Sequence, residues 1–298
     1  MSMNTAPQLE AMINAKKPKY GHLWDILPML PERIKLVRFF VDMDSTILNP
    51  CFDLRWMEGG FERDTADGQN YRLLASVLNT IGYLRHYASS RMEVASDFYC
   101  IYNDHPAYRE REVFPDYRKE WYTKRGIVPG GDETVRDVHK WVVKNMEAAK
   151  AVAEYIPAVY VIPSSDINPD VIPYFLGQET LPEGLQRNQV LDIVVCGSSA
   201  FPYLQYAGLP WTRVLTLDGE RSFMLNNTNT LDYFQKKAKV KEREMSTTCK
   251  LLPIMFSLIG HKKYGIEGKK GVGVGKALVM MEDLIERDII SNGSHEIS

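Results

Sequence analysis

The sequence predicts an α/β protein with a central, mainly parallel sheet flanked by helices, and a helical lobe at its carboxyl end. Three observations carry that expectation. Short apolar runs at Leu36–Met43, Asp97–Asn103, Ala158–Ile162 and Leu191–Cys196 are separated by stretches with helical periodicity. Two of these runs close on acids, Asp42 with Asp44 and then Asp104, and open α/β sheets place ligands at the carboxyl ends of their strands. Finally, residues 251–277, LLPIMFSLIGHKKYGIEGKKGVGVGKA, lead an apolar run with helical spacing into a Gly-Lys-rich turn and a second helix, the layout of a helix-hairpin-helix.

At 298 residues and 45% hydrophobic content, the chain can bury a sizeable core as one large domain or two unequal lobes. The expected division is an extension at 1–35, an α/β core at 36–230 and a helical lobe at 231–298. No basic, apolar leader opens the chain and the longest apolar-rich run, Leu251–Gly260, is too short to span a bilayer, so a cytoplasmic protein without membrane contact is expected. Cys51, Cys100, Cys196 and Cys249 form no CxxC pair, which argues against zinc or a disulfide framework and predicts buried thiols. The net charge of −2 argues against a protein that coats nucleic acid indiscriminately. Between Lys236 and Lys276, however, eleven Lys or Arg face only three Glu, a basic lobe that predicts a directional anionic partner. The KKAKVKERE run taken alone reads as a solvated helix face.

Residues 1–35 are polar and broken by Pro7, Pro18, Pro28 and Pro31, the pattern of an extension that docks on the core without belonging to it. After the first strand, residues 67–88 form an amphipathic helix with Tyr71, Leu74, Leu78, Ile81 and Leu84 near a 3.6-residue period. The second strand leads to YNDHPAYREREVFPDYRKEWYTKR. There Tyr117, Arg118, Lys119, Lys124 and Arg125 offer cations for phosphates and aromatics for stacking on a single strand; the interleaved Glu110, Glu112, Asp116 and Glu120 equally fit a solvated helix with ion pairs. Gly130-Gly131-Asp132 starts a helix to about Tyr155, with Val135, Val138, Val142, Met146 and Ala149 on one face. Trp141 reads as packing.

The Gly-Lys turn carries the clearest chemistry. Gly271, Gly273 and Gly275 let a main chain approach phosphate closely, a helix opening at Lys276 points N–H groups outward, and Lys269, Lys270 and Lys276 add charge. Such a contact holds backbone and reads no base sequence. A P-loop is excluded, because Lys270 stands where its first glycine belongs and Ala277 where its Ser or Thr belongs. The dinucleotide fingerprint fails too, since the third glycine comes one residue early. The plainer alternative is a Gly-rich turn between packed helices with solvated lysines.

From Gly260 to Ala277 the chain, GHKKYGIEGKKGVGVGKA, resembles without a gap the helix-three-turn-helix segment of the flap endonuclease and 5′ to 3′ exonuclease family, GDxSDNxPGVxGxGxxTA. The resemblance covers roughly Val37 to Ile290 and implies a PIN-like nuclease fold with a helical arch at about 105–155. It matches Asp104 to a metal-binding acid, Arg109 or Arg111 to the family's arginine, and PDYRK at 115–119 to the element that starts the arch. In SSDINPDVIPYF only Asp170 keeps a family acid. Six family acid positions are Ile167, Pro169, Ser198, Ala200, His261 and Tyr264. Asp42, Asp104 and Asp170 are thus the remnant catalytic and metal-binding set, able to hold at most one Mg2+ or Mn2+, with Asp44 or Asp166 assisting.

The resemblance implies a structure-specific DNA-binding protein in replication or repair, acting on branched DNA or a 5′ single strand, with catalysis impaired. Two alternatives stay open. One is an active 5′ nuclease with a reduced metal site. The other is a phosphatase, because VDMDSTIL resembles the first motif of the haloacid-dehalogenase phosphatases, with Asp42 as nucleophile and Asp44 as acid. Its later motifs would fall on Ser198 and on Asp218, a single acid where two neighbours are wanted.

Overall fold

The computed structural model describes residues 33–48, 71–91, 93–102, 112, 115–116, 146–164, 167–179, 181–197, 201–218, 221–237, 251–261 and 265–287. Strand β1 (Leu36–Asp42) is buried along its whole length. It pairs in parallel with β2 (Ala95–Tyr102) on one side and β4 (Val190–Gly197) on the other. β3 (Val159–Pro163) and β5 (Thr212–Asp218) extend the parallel sheet outward, and β6 (Arg221–Leu225) closes it as an antiparallel edge. The order β3-β2-β1-β4-β5-β6 reverses between β1 and β4. That reversal opens a crevice outside their carboxyl ends.

Each central strand reads as an apolar run because both faces of the sheet are covered. On the first face Val37, Phe39 and Val41 pack with Val77, Ile81, Leu84 and Ala88 of α1 (Tyr71–Arg91) and with Met146, Ala149 and Ala153 of α2 at 146–153. The second face carries Phe40, Ile101, Val194 and Cys196. It is covered by α3 (Ile172–Glu179), a 3-10 segment at Phe201–Gly208 and α4 (Thr230–Lys237). The same apolar cluster includes Leu252 and Met255 of α5 (Leu252–Ile259) and Ala277, Leu278 and Met281 of α6 (Val274–Glu286). At roughly 1.5–3 kcal/mol per buried Leu or Met, these side chains anchor the C-terminal helices firmly on the sheet.

One charged residue stands third in each of three adjacent strands: Asp97 in ASDFYCIY, Arg38 in LVRFFVD and Asp192 in VLDIVVCG. Register sets them side by side. Arg38 is fully buried; its Nε donates to Asp192 Oδ1 at 2.7 Å and its Nη2 to Asp192 Oδ2 at 2.9 Å. The remaining guanidinium hydrogens reach the last carbonyls of α3, Leu176 O at 3.3 Å and Gly177 O at 3.1 Å. Arg187 adds a second cation to Asp192 at 2.8 Å. The pair therefore fastens α3 to the sheet, and burying it without such partners would be strongly unfavourable.

Cys100 and Cys196 are buried thiols, as expected, and burial pushes Cys100 up to about 12. Cys51 and Cys249 lie outside the described residues, as do 1–32 and, apart from 112, 115–116 and α2 onward, the predicted arch. No described helix is long and apolar enough to cross a membrane.

Candidate functional site

Asp42 ends β1 at the crevice and is 5% exposed. Its carboxylate turns back on the chain that follows. Oδ1 accepts the backbone N–H groups of Asp44 at 3.1 Å and Ser45 at 3.3 Å, and Oδ2 accepts the Ser45 hydroxyl. The Thr46 hydroxyl donates to Asp42 O at 2.5 Å, so residues Asp44–Leu48 are wound into a π-helical turn directly on the strand end. Short side chains bonding to nearby main chain in this way compete with regular structure, which is why the strand stops at Asp42 and Met43 leaves it.

Ser45 also joins β1 to β4. Its Oγ accepts the Gly197 N–H at 2.8 Å while donating to Asp42, and a Cβ on Gly197 would lie 2.6 Å from Ser45 O. Gly197 is a glycine because the two backbones meet there.

Asp170 lies in a 3-10 turn, Pro169–Val171, that follows β3; it is 9% exposed. Asn168 caps this turn by accepting the Asp170 N–H at 3.0 Å. The Tyr206 hydroxyl donates to Asp170 O, tying the segment that leaves β3 to the one that leaves β4. Burial, with Asp170 nearby, pushes the Tyr206 phenol well above its ordinary value, so it remains a donor.

Of the six positions where the family has acids, Ile167 is exposed in the loop before this turn, Pro169 is buried at its start, and His261 is half-buried. Asp104, Asp166, Ser198, Ala200 and Tyr264 lie outside the described residues, as do Arg109, Arg111, Tyr117, Arg118, Lys119, Lys124 and Arg125. Among the described residues no three His, Cys, Asp or Glu stand together as a metal-holding group. A carboxylate accepts about four hydrogen bonds, and three positions on Asp42 are filled by its own turn. For the phosphatase reading, Asp218 ends β5, which β4 separates from β1. Two strand spacings, about 10 Å, then lie between Asp218 and Asp42.

The C-terminal segment has the opposite character. Helix α5 ends at Gly260, where a two-residue ladder of β7 (Gly260–His261) and β8 (Ile266–Glu267) begins. Gly260 has φ 71°, and a Cβ on it would sit 2.2 Å from Gly268 N; one on Gly268 would sit 2.2 Å from Ile259 C. These two glycines interlock the base of the hairpin. Lys269 N–H donates to Leu258 O at 2.8 Å, and Val272 N–H closes a turn on Lys269 O at 3.0 Å.

Beyond that base, space is left open. Lys269, Lys270 and Gly271 are exposed, Gly271 has φ 77°, and a Cβ on Gly271 or Gly273 would meet nothing within 4 Å. Gly273 is the N-cap of α6 and makes no side-chain cap. The helix therefore opens two residues earlier than the sequence predicts, at Val274. Gly275 and Lys276 belong to its first turn, and its leading N–H groups lack intrahelical acceptors. Lys276 is exposed. From that first turn its Nζ reaches Gly271 O at 3.0 Å and caps the preceding turn.

With a mixed sheet of this order and an interlocked hairpin on its second face, the comparison with solved structures is decisive for the fold. The chain matches the bacteriophage T5 D15 protein crystallised with metal ions at TM-score 0.51 and 10% identity, over 83% of this chain and 75% of that one. The fold is that of the 5′-nucleases. Two further T5 structures match at 10% identity. They are a D15 flap endonuclease pseudo-enzyme in a product complex with DNA and metal ions, at TM-score 0.49 over 84% and 75% of the chains, and a 5′-exonuclease mutant, at 0.43 over 83% and 72%. No family model and no curated protein matches the sequence.

Sequence reasoning missed three features of this 5′-nuclease fold: the Ser45 bridge, the Gly260–Gly268 interlock and the capping role of Lys276. The first had a signal, since DxDST after a strand is a pattern of residues that bond to their own main chain. The interlock had none, because it depends on how closely Ile259 and Gly268 approach in space.

Proposed function

We propose that this chain is a structure-specific DNA-binding protein of replication or repair, built on a 5′-nuclease fold and reduced in catalysis. It holds the backbone of branched or 5′-single-stranded DNA on its helix-hairpin-helix. The observation that carries this reading is the open turn at 269–273. Empty space beside Gly271 and Gly273 adjoins the uncapped N-terminus of α6, with exposed Lys269 and Lys270 beside it. Backbone N–H groups and a helix N-terminus of this kind accept phosphate. The test is equilibrium binding to a 5′-flap DNA in chelator across a salt series. Lys269→Met with Lys270→Met is expected to weaken binding to every sequence alike and to reduce the slope of log K against log salt by about 2. An unchanged slope would sink the proposal.

Reduced catalysis rests on the acids. Asp42 commits three of about four acceptor positions to its own turn, and Ile167, Pro169 and His261 offer no carboxylate. A second reading, a nuclease with one ion, is favoured by the burial of Asp42 and Asp170 at the carboxyl side of the sheet. In it Asp42, Asp104 and Asp170 would hold one Mg2+ or Mn2+, which would activate water when bound. Incubation of a 5′-labelled flap with either metal decides between them: cleavage lost in Asp42→Asn and Asp104→Asn supports the second reading, and no cleavage by wild type supports the first.

A further inference from the structure

The amino end of the sheet carries two arginines around a tryptophan, far from the acids at the carboxyl end. Trp211 precedes β5 with φ 58°, a left-handed conformation that a bulky side chain rarely adopts. Its neighbours hold it there: the Asp192 N–H of β4 donates to Trp211 O at 2.9 Å, and the Thr212 N–H turns back to Leu209 O at 3.3 Å. The indole packs against the apolar cluster on the first face of the sheet. Arg33, three residues before β1, reaches across β4 and sets its guanidinium 4.3 Å from the ring centroid. That contact fixes the cation. Arg33 is exposed and makes no hydrogen bond or ion pair among the described residues, so its N–H donors stay available.

Arg213 is the second cation. By the alternation of β5 it shares the first face with Leu215 and Leu217, two residues, about 7 Å, beyond Trp211. It is half-buried, and its Nη1 donates to the neighbouring Thr212 O at 2.8 Å. Burial lowers its guanidinium from the ordinary value, with no acid to offset the loss. None of the ion pairs among the described residues involves Arg33 or Arg213. A desolvated cation without a counter-charge costs stability, and strain of the kind seen at Trp211 gathers at functional sites.

We propose that Arg33 and Arg213, flanking Trp211, form a second phosphate-binding site that holds a nucleic-acid backbone. Guanidinium forks suit phosphate, and two of them spaced along one strand suit neighbouring phosphates of a single backbone. The helices of the hairpin pack on the second face and these arginines stand on the first. The two contacts therefore address different arms of a branched DNA, an inference that rests on the DNA-binding reading above.

The test is equilibrium binding of a 5′-flap DNA in chelator across a salt series. It compares wild type, Arg33→Met with Arg213→Met, Lys269→Met with Lys270→Met, and the fourfold variant. The arginine pair is expected to reduce the slope of log K against log salt by about 2, in the wild-type background and again in the lysine variant. Arg33→Met alone, at an exposed position, is expected to reduce it by about 1. Arg213→Met should leave the urea midpoint unchanged or higher, since it removes an unpaired cation; a lower midpoint would assign the arginine to the fold and overturn the proposal. An unchanged slope in the arginine variant beside a reduced one in the lysine variant would overturn the second site and leave the hairpin standing. The converse pattern would support the second site while the hairpin reading fails. Arginine-dependent binding of a polyglutamate peptide with the DNA slope unchanged would assign the surface to an acidic protein and overturn the proposal.

Discussion

A Cβ on Gly197 would lie 2.6 Å from Ser45 O, whereas a Cβ on Gly273 would meet nothing within 4 Å. Both glycines border candidate site residues, yet the chain treats the two regions in opposite ways. At the carboxyl end of the sheet Asp42, Ser45 and Gly197 satisfy one another and the crevice is knitted shut at its floor. At the tip of the hairpin the base is locked by Gly260 and Gly268 while the surface above it is left open. A region that closes on itself contributes to stability; one that is locked below and open above leaves its main chain exposed.

The comparison breaks most visibly if changes to the closed region leave stability intact. The largest effect is expected from Arg38→Met, which leaves buried Asp192 with Arg187 but without its buried partner: about 3 kcal/mol of lost stability in urea unfolding, with DNA affinity per folded molecule unchanged. Ser45→Ala leaves Asp42 and the Gly197 N–H each short of a partner and is expected to cost about 1–3 kcal/mol, again without loss of binding. In the open region Lys276→Met removes the bond to Gly271 O that steadies the turn. It is expected to weaken flap binding less than the Lys269 and Lys270 pair, read by the same titration.

The smallest effect concerns Asp97. Burial raises its carboxyl, and Arg38 and Arg85 pull it partly back. A raised carboxyl favours the folded state below the ordinary carboxylate range and loses that contribution as pH rises through the folded value. Asp97→Asn is therefore expected to raise the melting temperature slightly at neutral pH and to leave it unchanged in acid. Thermal scans at the two pH values check the sign, and a loss of stability at neutral pH would contradict it.

Much of the sheet was legible because each strand is a bounded apolar run, and the runs at 36, 97, 158 and 191 shift by two residues or fewer at either end in the structure. The buried charges were legible too, in retrospect: one charge third in each of three strands is unlike a solvated pattern, and register places Arg38 between Asp97 and Asp192. The hairpin glycines were visible as a group, but their different duties were not. Gly260 and Gly268 answer to close approach, Gly271 to a positive φ, and Gly273 to neither. Sequence spacing cannot separate these, since close approach exists only between segments. The shift of the α6 start from Lys276 to Val274 has the same root, because Gly273 serves as an N-cap without offering a capping side chain.

The most direct measurement is on Gly273→Asp. Gly273 has φ −94° and ψ 178°, open to any residue, and Asp is at least as good an N-cap as Gly. A carboxylate there would fill the open space and occupy the N–H groups that the account assigns to phosphate. Unfolding and flap-DNA binding should be measured on the same preparation. The account predicts stability equal to or slightly above wild type together with loss of binding; binding at wild-type strength would contradict it.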